Sequence, residues 1–562
     1  MKKTIFLLLT LLAGMGLTGC AGSEAHEDTL ADSETEYQSE SDLTYIYGKD
    51  VEDGLLRIGL DEQVPTMDVQ KTNEHYMIPL NIYERLFEIR VNDDGSTQLV
   101  NGLAEDYSIS SDGLTYDFTI RDDAFFSDGT KVKASDVAFT FTRMLTDPNS
   151  VQTDLADMIY GARALMVGEV DELKGVRVID DNHLQITLTE PYAGYLYELA
   201  TPSCSILDED FVTGAGDSYG SSAELTIGSG PYMVTEFTDS IIMLERNPYY
   251  NCRDWEKLTV TKAELLVLPP ALMDQMFREG GLDLLDANLV NPDTVEKEYK
   301  TDRWSSSLIS KHRVDIQYFM LNVDAAPLND VRIRKAVQMA IDRQAILDEL
   351  YGGDGQLVDG IFPRGLNGYC EANQGWLTYD PDEARRLISE VPGADEIRLE
   401  IAASSKNSTR RLALLEMVSK YLEDAGLDVS VVSYDPDSLM YLRQSGRLMA
   451  YSSEWSADYN DPDNFIYTFF GNRAKTYNRS GNFSDEAVFK RISDARAIQD
   501  EDKRMEEYAR LEKLLVHDEA VWVPLFSTNH LFVLGKRVES FTPFWAGWSS
   551  LYFRDVVLKS EQ

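Results

Sequence analysis

The sequence predicts an α/β protein of more than one domain, and three observations carry that expectation. Tight-turn and hairpin signals crowd the first third of the chain. A strand–helix–strand unit stands in the second half, over 398–434. Beyond a short N-terminal leader and tail, roughly 510 residues remain of a chain that is 43% hydrophobic and 10% aromatic, ample for a core divided over two or three domains.

The leader comes first. Lys2 and Lys3 precede a short apolar run over 5–12, far below the roughly 20 residues that a membrane-spanning helix needs, so the segment reads as a secretory signal. Its end, Leu17-Thr18-Gly19-Cys20, resembles the lipobox of bacterial lipoproteins. That resemblance implies a signal peptide over 1–20 and a lipid on Cys20 that ties the protein to the outer face of a cell membrane, of a Gram-positive surface type. Residues 21–50 then carry nine Asp/Glu against one Lys. Such a composition buries too little apolar surface to offset its conformational entropy, so 21–45 is expected to be a disordered tether.

Strand and turn signals follow. Asn92-Asp93-Asp94-Gly95, Asp112-Gly113 and Asp128-Gly129 each separate strand-like runs, where Asp-Gly favours tight turns. Residues 114–120 alternate as a half-buried strand does. A helix is expected to open at Ser135 as N-cap, with Val137, Phe141 and Met144 on one face, and to stop at Asp147-Pro148. Residues 176–189 read as a hairpin turning at Asp180-Asp181-Asn182.

From about 315 the pattern becomes helical. Asn329-Asp330 caps a helix burying Ile333, Val337, Ala340 and Ile341. Asp380-Pro381-Asp382-Glu383 combines a capping box with Pro at the first helical position. A strand over 398–405, a helix over 409–425 with Leu412, Leu415, Val418 and Leu422 inward, a closing Gly426 and a strand over 427–434 form the unit that predicts parallel pairing. A helical region over 485–518 precedes two expected strands, 521–526 and 530–534.

Charge and chemistry narrow the function. A net charge of −44 excludes a nucleic-acid footprint; it could steer cationic ligands weakly, although solubility accounts for it. Of four cysteines, Cys20 is assigned to lipid, which leaves Cys204, Cys252 and Cys370, with Cys204–Cys252 the expected pair if one forms. No H-E-x-x-H, G-x-S-x-G or P-loop occurs, and none of the six histidines stands at ligand spacing from another. Asp458, Asp461 and Asp463 form an acidic cluster without the Gly and closing Glu of a calcium loop. No cofactor, metal or catalytic residue is expected.

Ordered motifs then carry a family resemblance. Asn81-Ile-Tyr-Glu-Arg-Leu-Phe87, Gly102-Leu-Ala-Glu-Asp-Tyr107, Phe126-Ser-Asp-Gly129 and Ala134-Ser-Asp-Val137 come in sequence. Gly228-Ser-Gly-Pro-Tyr232, Arg246-Asn-Pro-Tyr-Tyr250, Leu328-Asn-Asp-Val-Arg332 and Trp455-Ser-Ala-Asp-Tyr-Asn-Asp-Pro462 continue the order. The set resembles the family 5 extracellular solute-binding proteins, the peptide-binding components of ABC importers. The resemblance implies a two-lobed periplasmic-binding-protein-like clamp of the cluster C type with an extra α+β domain. Lobe I would comprise 46–76, 192–314 and 527–562, the additional domain 77–191 and lobe II 315–526, with hinge crossings near 314 and 526.

It also implies a site. Asp458 would grip the α-amino group of a peptide, Glu454 and Ser456 would offer backbone contacts to it as an added strand, and Trp455 would line a side-chain pocket. The segment from Glu62 to Val64 would flank the ligand, and Arg443 stands at a spacing where the family can place an arginine near it. The implied partners are a peptide, ABC permease subunits and the membrane through Cys20, with the protein a monomer. Open alternatives are a non-peptide solute such as a metal chelate, sugar or opine, a peptide-sensing surface lipoprotein that feeds no transporter, and a secreted hydrolase.

Overall fold

The computed structural model describes residues 52–559 apart from 73, 93–95, 252–257, 394–395, 397, 472–478 and 548–549. The signal peptide, Cys20, the acidic tether, most of the Asn92–Gly95 turn and Cys252 lie outside the described residues.

Strand β1 (Leu55–Leu60) opens the fold. An antiparallel region follows, with the hairpin β2 (Phe87–Val91) and β3 (Thr97–Asn101), then β4 (Ala104–Ile109), β5 (Thr115–Ile120), β6 (Val176–Val178) and β7 (His183–Thr187). The last four pair in the order β4-β5-β7-β6. β5 alternates as its sequence does, burying Tyr116, Phe118 and Ile120 and exposing Asp117. The helix Ala134–Thr146 sets Val137, Phe141 and Met144 into the same core. Ser135 is not its cap. The helix starts one residue earlier, and the Asp136 carboxylate, a stronger acceptor than a hydroxyl, takes the Lys133 N–H at 2.8 Å.

Strands β8 (Tyr232–Phe237), β9 (Ile241–Arg246), β10 (Lys262–Val267), β11 (Leu284–Asp286) and β12 (Leu308–His312) complete the first half. The second half adds β13 (Asp315–Leu321), β14 (Gly355–Leu357), β15 (Arg398–Ser404), β16 (Asp428–Tyr434), β17 (Ala450–Ser456) and β18 (Trp522–Leu534). Among the described residues, twelve strands form one sheet. Its order is β16-β15-β17-β13-β18-β11-β1-β10-β9-β8, with β12 and β14 also on β18. β15 and β16 run parallel from Arg398↔Asp428 to Ser404↔Tyr434, joined by the helix Thr409–Asp424. Asp330 and Asp380 cap their helices through their carboxylates, with Pro381 at the first turn.

Two expectations change. Leu412 is 39% exposed, whereas Leu414, Leu415, Val418 and Leu422 are buried; at 3.6 residues per turn Leu412 stands about 110° from the centre of that stripe. The two strands expected at 521–526 and 530–534 are one thirteen-residue strand, β18. Its first part pairs with β13 and its last part with β12 and β11. The polar stretch between, which reads as a turn, is held in the strand by a buried carboxylate. Asp315 accepts from Ser527 Oγ at 2.9 Å, Thr528 N–H at 3.1 Å and Thr528 Oγ1 at 2.9 Å.

β13 is buried along its whole length. Ile316, Tyr318 and Met320 enter one core, and Phe319 and Leu321 another on the opposite face, the pattern of a central strand covered on both sides. Cys204 is a free, buried thiol, so it does not form the expected disulfide.

Candidate functional site: a cavity beside the free edge of a strand

β17 leads into the site, and its ladder decides which backbone groups face it. β17 pairs antiparallel with β13 from Ala450↔Leu321 to Ser456↔Asp315. Just beyond its ends the Ala457 N–H meets the Val314 carbonyl at 2.9 Å and the Asn322 N–H meets the Met449 carbonyl at 2.8 Å. In an antiparallel ladder, alternate residues turn both backbone groups to the same neighbour. Odd-numbered residues of β17 therefore bond β13, and Ser452, Glu454 and Ser456 direct N–H and C=O the other way. On that side β15 pairs only with Ala450 and Tyr451. Among the described residues no further strand covers the edge.

The chain then turns through Asp458 to the short helix Asp463–Ile466. Asn464 on that helix organises the turn: its Oδ1 accepts from Trp455 Nε1 at 3.1 Å and from the Asp458 N–H at 3.0 Å, and its Nδ2 donates to Asp458 Oδ2 at 3.1 Å. The Trp455 ring meets Phe469 edge-on at 5.3 Å. Loss of hydration raises the Asp458 carboxyl above the ordinary aspartate range, against the opposing effects of Asn464 and Arg479. Asp461 and Asp463, grouped with Asp458 in the sequence, are committed elsewhere. Asp461 holds Arg504 through two bonds of 2.9 and 2.6 Å, and Asp463 accepts from Arg496 at 3.0 Å and from the Tyr508 hydroxyl at 3.0 Å.

Glu454, Trp455, Ser456 and Asp458 line one cavity of about 570 Å³. Its other wall includes Tyr76, Gln152 and Ser203, whose side chains are tied together: the Tyr76 hydroxyl lies 3.1 Å from Ser203 Oγ and accepts from Gln152 Nε2 at 3.1 Å. Val64 is not brought to this cavity; it lines another with Gln63, Pro65 and His75. Arg443 is also not among the lining residues, and its guanidinium lies 5.4 Å over the Tyr451 ring. The arginine beside the tryptophan is Arg479, 5.4 Å from the Trp455 ring centre and a lining residue. Glu198, Asp157, Asp154 and Arg496 are further charged residues of the lining. No motif flagged Arg479, Glu198, Asp157 or Tyr76, because each reaches the cavity through the fold and not through local spacing.

A model of the middle region of the bacterial extracellular solute-binding proteins, family 5, matches residues 98–477. "Heme-binding protein A" of Haemophilus influenzae is 25% identical over 98% of this chain and 98% of its own length. The "Dipeptide-binding protein" of Escherichia coli K12 is 26% identical over 78% of this chain and 82% of its own. The solved structure of the periplasmic binding protein DppA from Helicobacter pylori in complex with the peptide STSA superposes with a TM-score of 0.71 at 22% identity, over 90% of this chain and 98% of that one. The fold is thus the two-lobed, mixed α/β clamp of the periplasmic binding proteins.

Proposed function

This chain belongs to the bacterial extracellular solute-binding proteins of family 5, and from that premise we propose that it captures peptides between its lobes and delivers them to ABC permease subunits, acting as a monomer and without catalysis. One juxtaposition carries the reading: outward backbone groups at Glu454 and Ser456 on an uncovered strand edge, with the dehydrated Asp458 carboxylate two residues on. A peptide added to that edge as a strand brings its amino group to Asp458 and its side chains to Trp455. Arg479, which lines the cavity where Arg443 does not, takes the ligand carboxylate. The peptide-binding relatives support the same ligand class.

The lobes of the proposal are 46–76 with 192–314 and 527–562, the added domain 77–191, and 315–526, with hinges where the chain crosses near 314 and 526. The cavity takes its walls from all three parts. No described helix is long and apolar enough to cross a membrane, and lipid on Cys20 supplies the anchor; membrane fractionation of the full chain checks it.

Heme is the rival ligand, because a heme-binding relative matches along nearly the whole chain. The cavity lining argues against it. Among the described residues the lining offers the iron no imidazole, only Tyr76, Tyr459, Tyr467 and Met158, and its several acidic residues are poor company for the heme's own carboxylates. Titrating the protein with hemin by absorbance and with di- and tripeptides by calorimetry separates the two. Saturable peptide binding with no hemin spectral shift is expected; hemin binding without peptide binding would overturn the reading.

A further inference from the structure

We propose that Glu198 and Asp157 form an acidic subsite of the cavity that receives a cationic side chain of the ligand, so that the protein selects peptides carrying lysine or arginine. The inference rests on the peptide reading and adds a specificity to it. Glu198 is 7% exposed and lines the cavity, yet its Oε2 has no hydrogen-bond partner. An unpartnered buried carboxylate oxygen costs free energy that a structural role would have removed. The cation that acts on it electrostatically is already engaged. Arg496 donates to Asp463 at 3.0 Å, lies 3.4 Å from Glu190, and has Tyr467 and Tyr192 rings at 3.7 and 4.3 Å.

Asp157, also on the cavity wall, adds a second negative group that acts directly on Glu198. The groups that bear electrostatically on Glu198 are Arg496, Asp157, Asp463 and Asp461. Burial with that acidic company pushes its carboxyl well above the ordinary glutamate range, and Asp157 is raised as well, again chiefly by burial. An ammonium or guanidinium entering the subsite favours the charged carboxylates, opposes that upward shift and offers the Glu198 carboxyl a hydrogen bond. A neutral side chain leaves the oxygen unpartnered. This is a recognition device, and it fits a cavity whose carboxylates outnumber its arginines.

The test is calorimetry with free-amine tripeptides that carry lysine or norleucine, of similar chain length, at each of the three positions in turn. At one position the lysine peptide should bind about tenfold or more tightly than its norleucine partner. Titrations in two buffers of different ionisation enthalpy should show proton release with the lysine peptide. Glu198→Gln should collapse the lysine-to-norleucine ratio to near one and abolish the release, while its melting temperature stays equal or rises. Asp157→Asn should reduce the ratio in the same direction. Norleucine peptides that bind as well as lysine peptides at every position would overturn the subsite while leaving peptide capture standing. Absence of binding by every peptide would overturn both. A Glu198→Gln protein with full lysine selectivity, or one that melts lower, would assign Glu198 to the Arg496 cluster instead.

Discussion

A carboxylate held between Trp455, Asn464 and the Tyr76 wall has lost part of its hydration, so it gains more from a cation than a carboxylate in water does. Removing one partner of such a pair leaves the other buried and alone, which costs about 3–5 kcal/mol, or roughly two to four decades in affinity. Asp458→Asn should therefore weaken a free-amine peptide by that amount. N-acetylating the peptide should cost the wild-type protein about as much, and the variant little further. Calorimetry on the four combinations reads the coupling; additive losses would make Asp458 a turn residue. Asp458 and Trp455 were legible because a short motif places them eight residues or fewer from each other and from Pro462. Glu198 and Arg479 were not, because a lone Glu in a helical turn or a lone Arg after a loop carries no local signature. Their role emerges only when segments near 76, 155, 200, 455 and 479 converge.

Among elements, caps and period were the dependable signals: Asp330, Asp380 and the parallel β15–β16 unit follow directly from the sequence. Errors arose where a long-range partner overrode a local cue. Ser527 and Thr528 look like turn residues until Asp315, more than 200 positions earlier, satisfies them inside one strand. Which edge of β17 stays uncovered was equally unreadable, since it depends on where β15 stops pairing. That edge makes its own prediction. Ser456→Pro removes an outward N–H and leaves the β13 ladder intact, as a proline at an edge position does. Peptide affinity should fall by about 1–3 kcal/mol, roughly five- to 150-fold, with the melting temperature little changed. Ser453→Pro, whose N–H faces β13, should lower the melting temperature instead. Equal effects of the two on melting, or none of Ser456→Pro on binding, would remove the added-strand geometry.

At the scale of the whole molecule, the cavity draws on segments far apart in the chain, and the sheet runs unbroken from β16 to β8 through β18. In the proposed division one crossing joins β12 to β13 and the other lies within β18, and Asp315 fastens them to each other: its carboxylate is buried, and Ser527 and Thr528 on β18 supply the donors. The His530 ring, buried nearby, has its pKa lowered to about 3, first by burial and then by Arg313, and its Nε2 lies 2.8 Å from the Ala546 carbonyl. It therefore stays neutral across physiological pH and adds no charge to this joint. A joint of two short, fastened crossings favours rotation of one lobe against the other over independent loosening of either. Ligand contacts on both walls then favour the closed arrangement, because only closure lets one peptide touch β17 and the Tyr76–Ser203 wall together. Small-angle scattering should show the radius of gyration, about 24 Å for a compact chain of this size, decreasing on saturation with a peptide shown to bind by calorimetry. Asp458→Asn at the same peptide concentration should show no decrease. A bound peptide that leaves the wild-type radius unchanged would mean that the cavity is preformed and that capture needs no hinge.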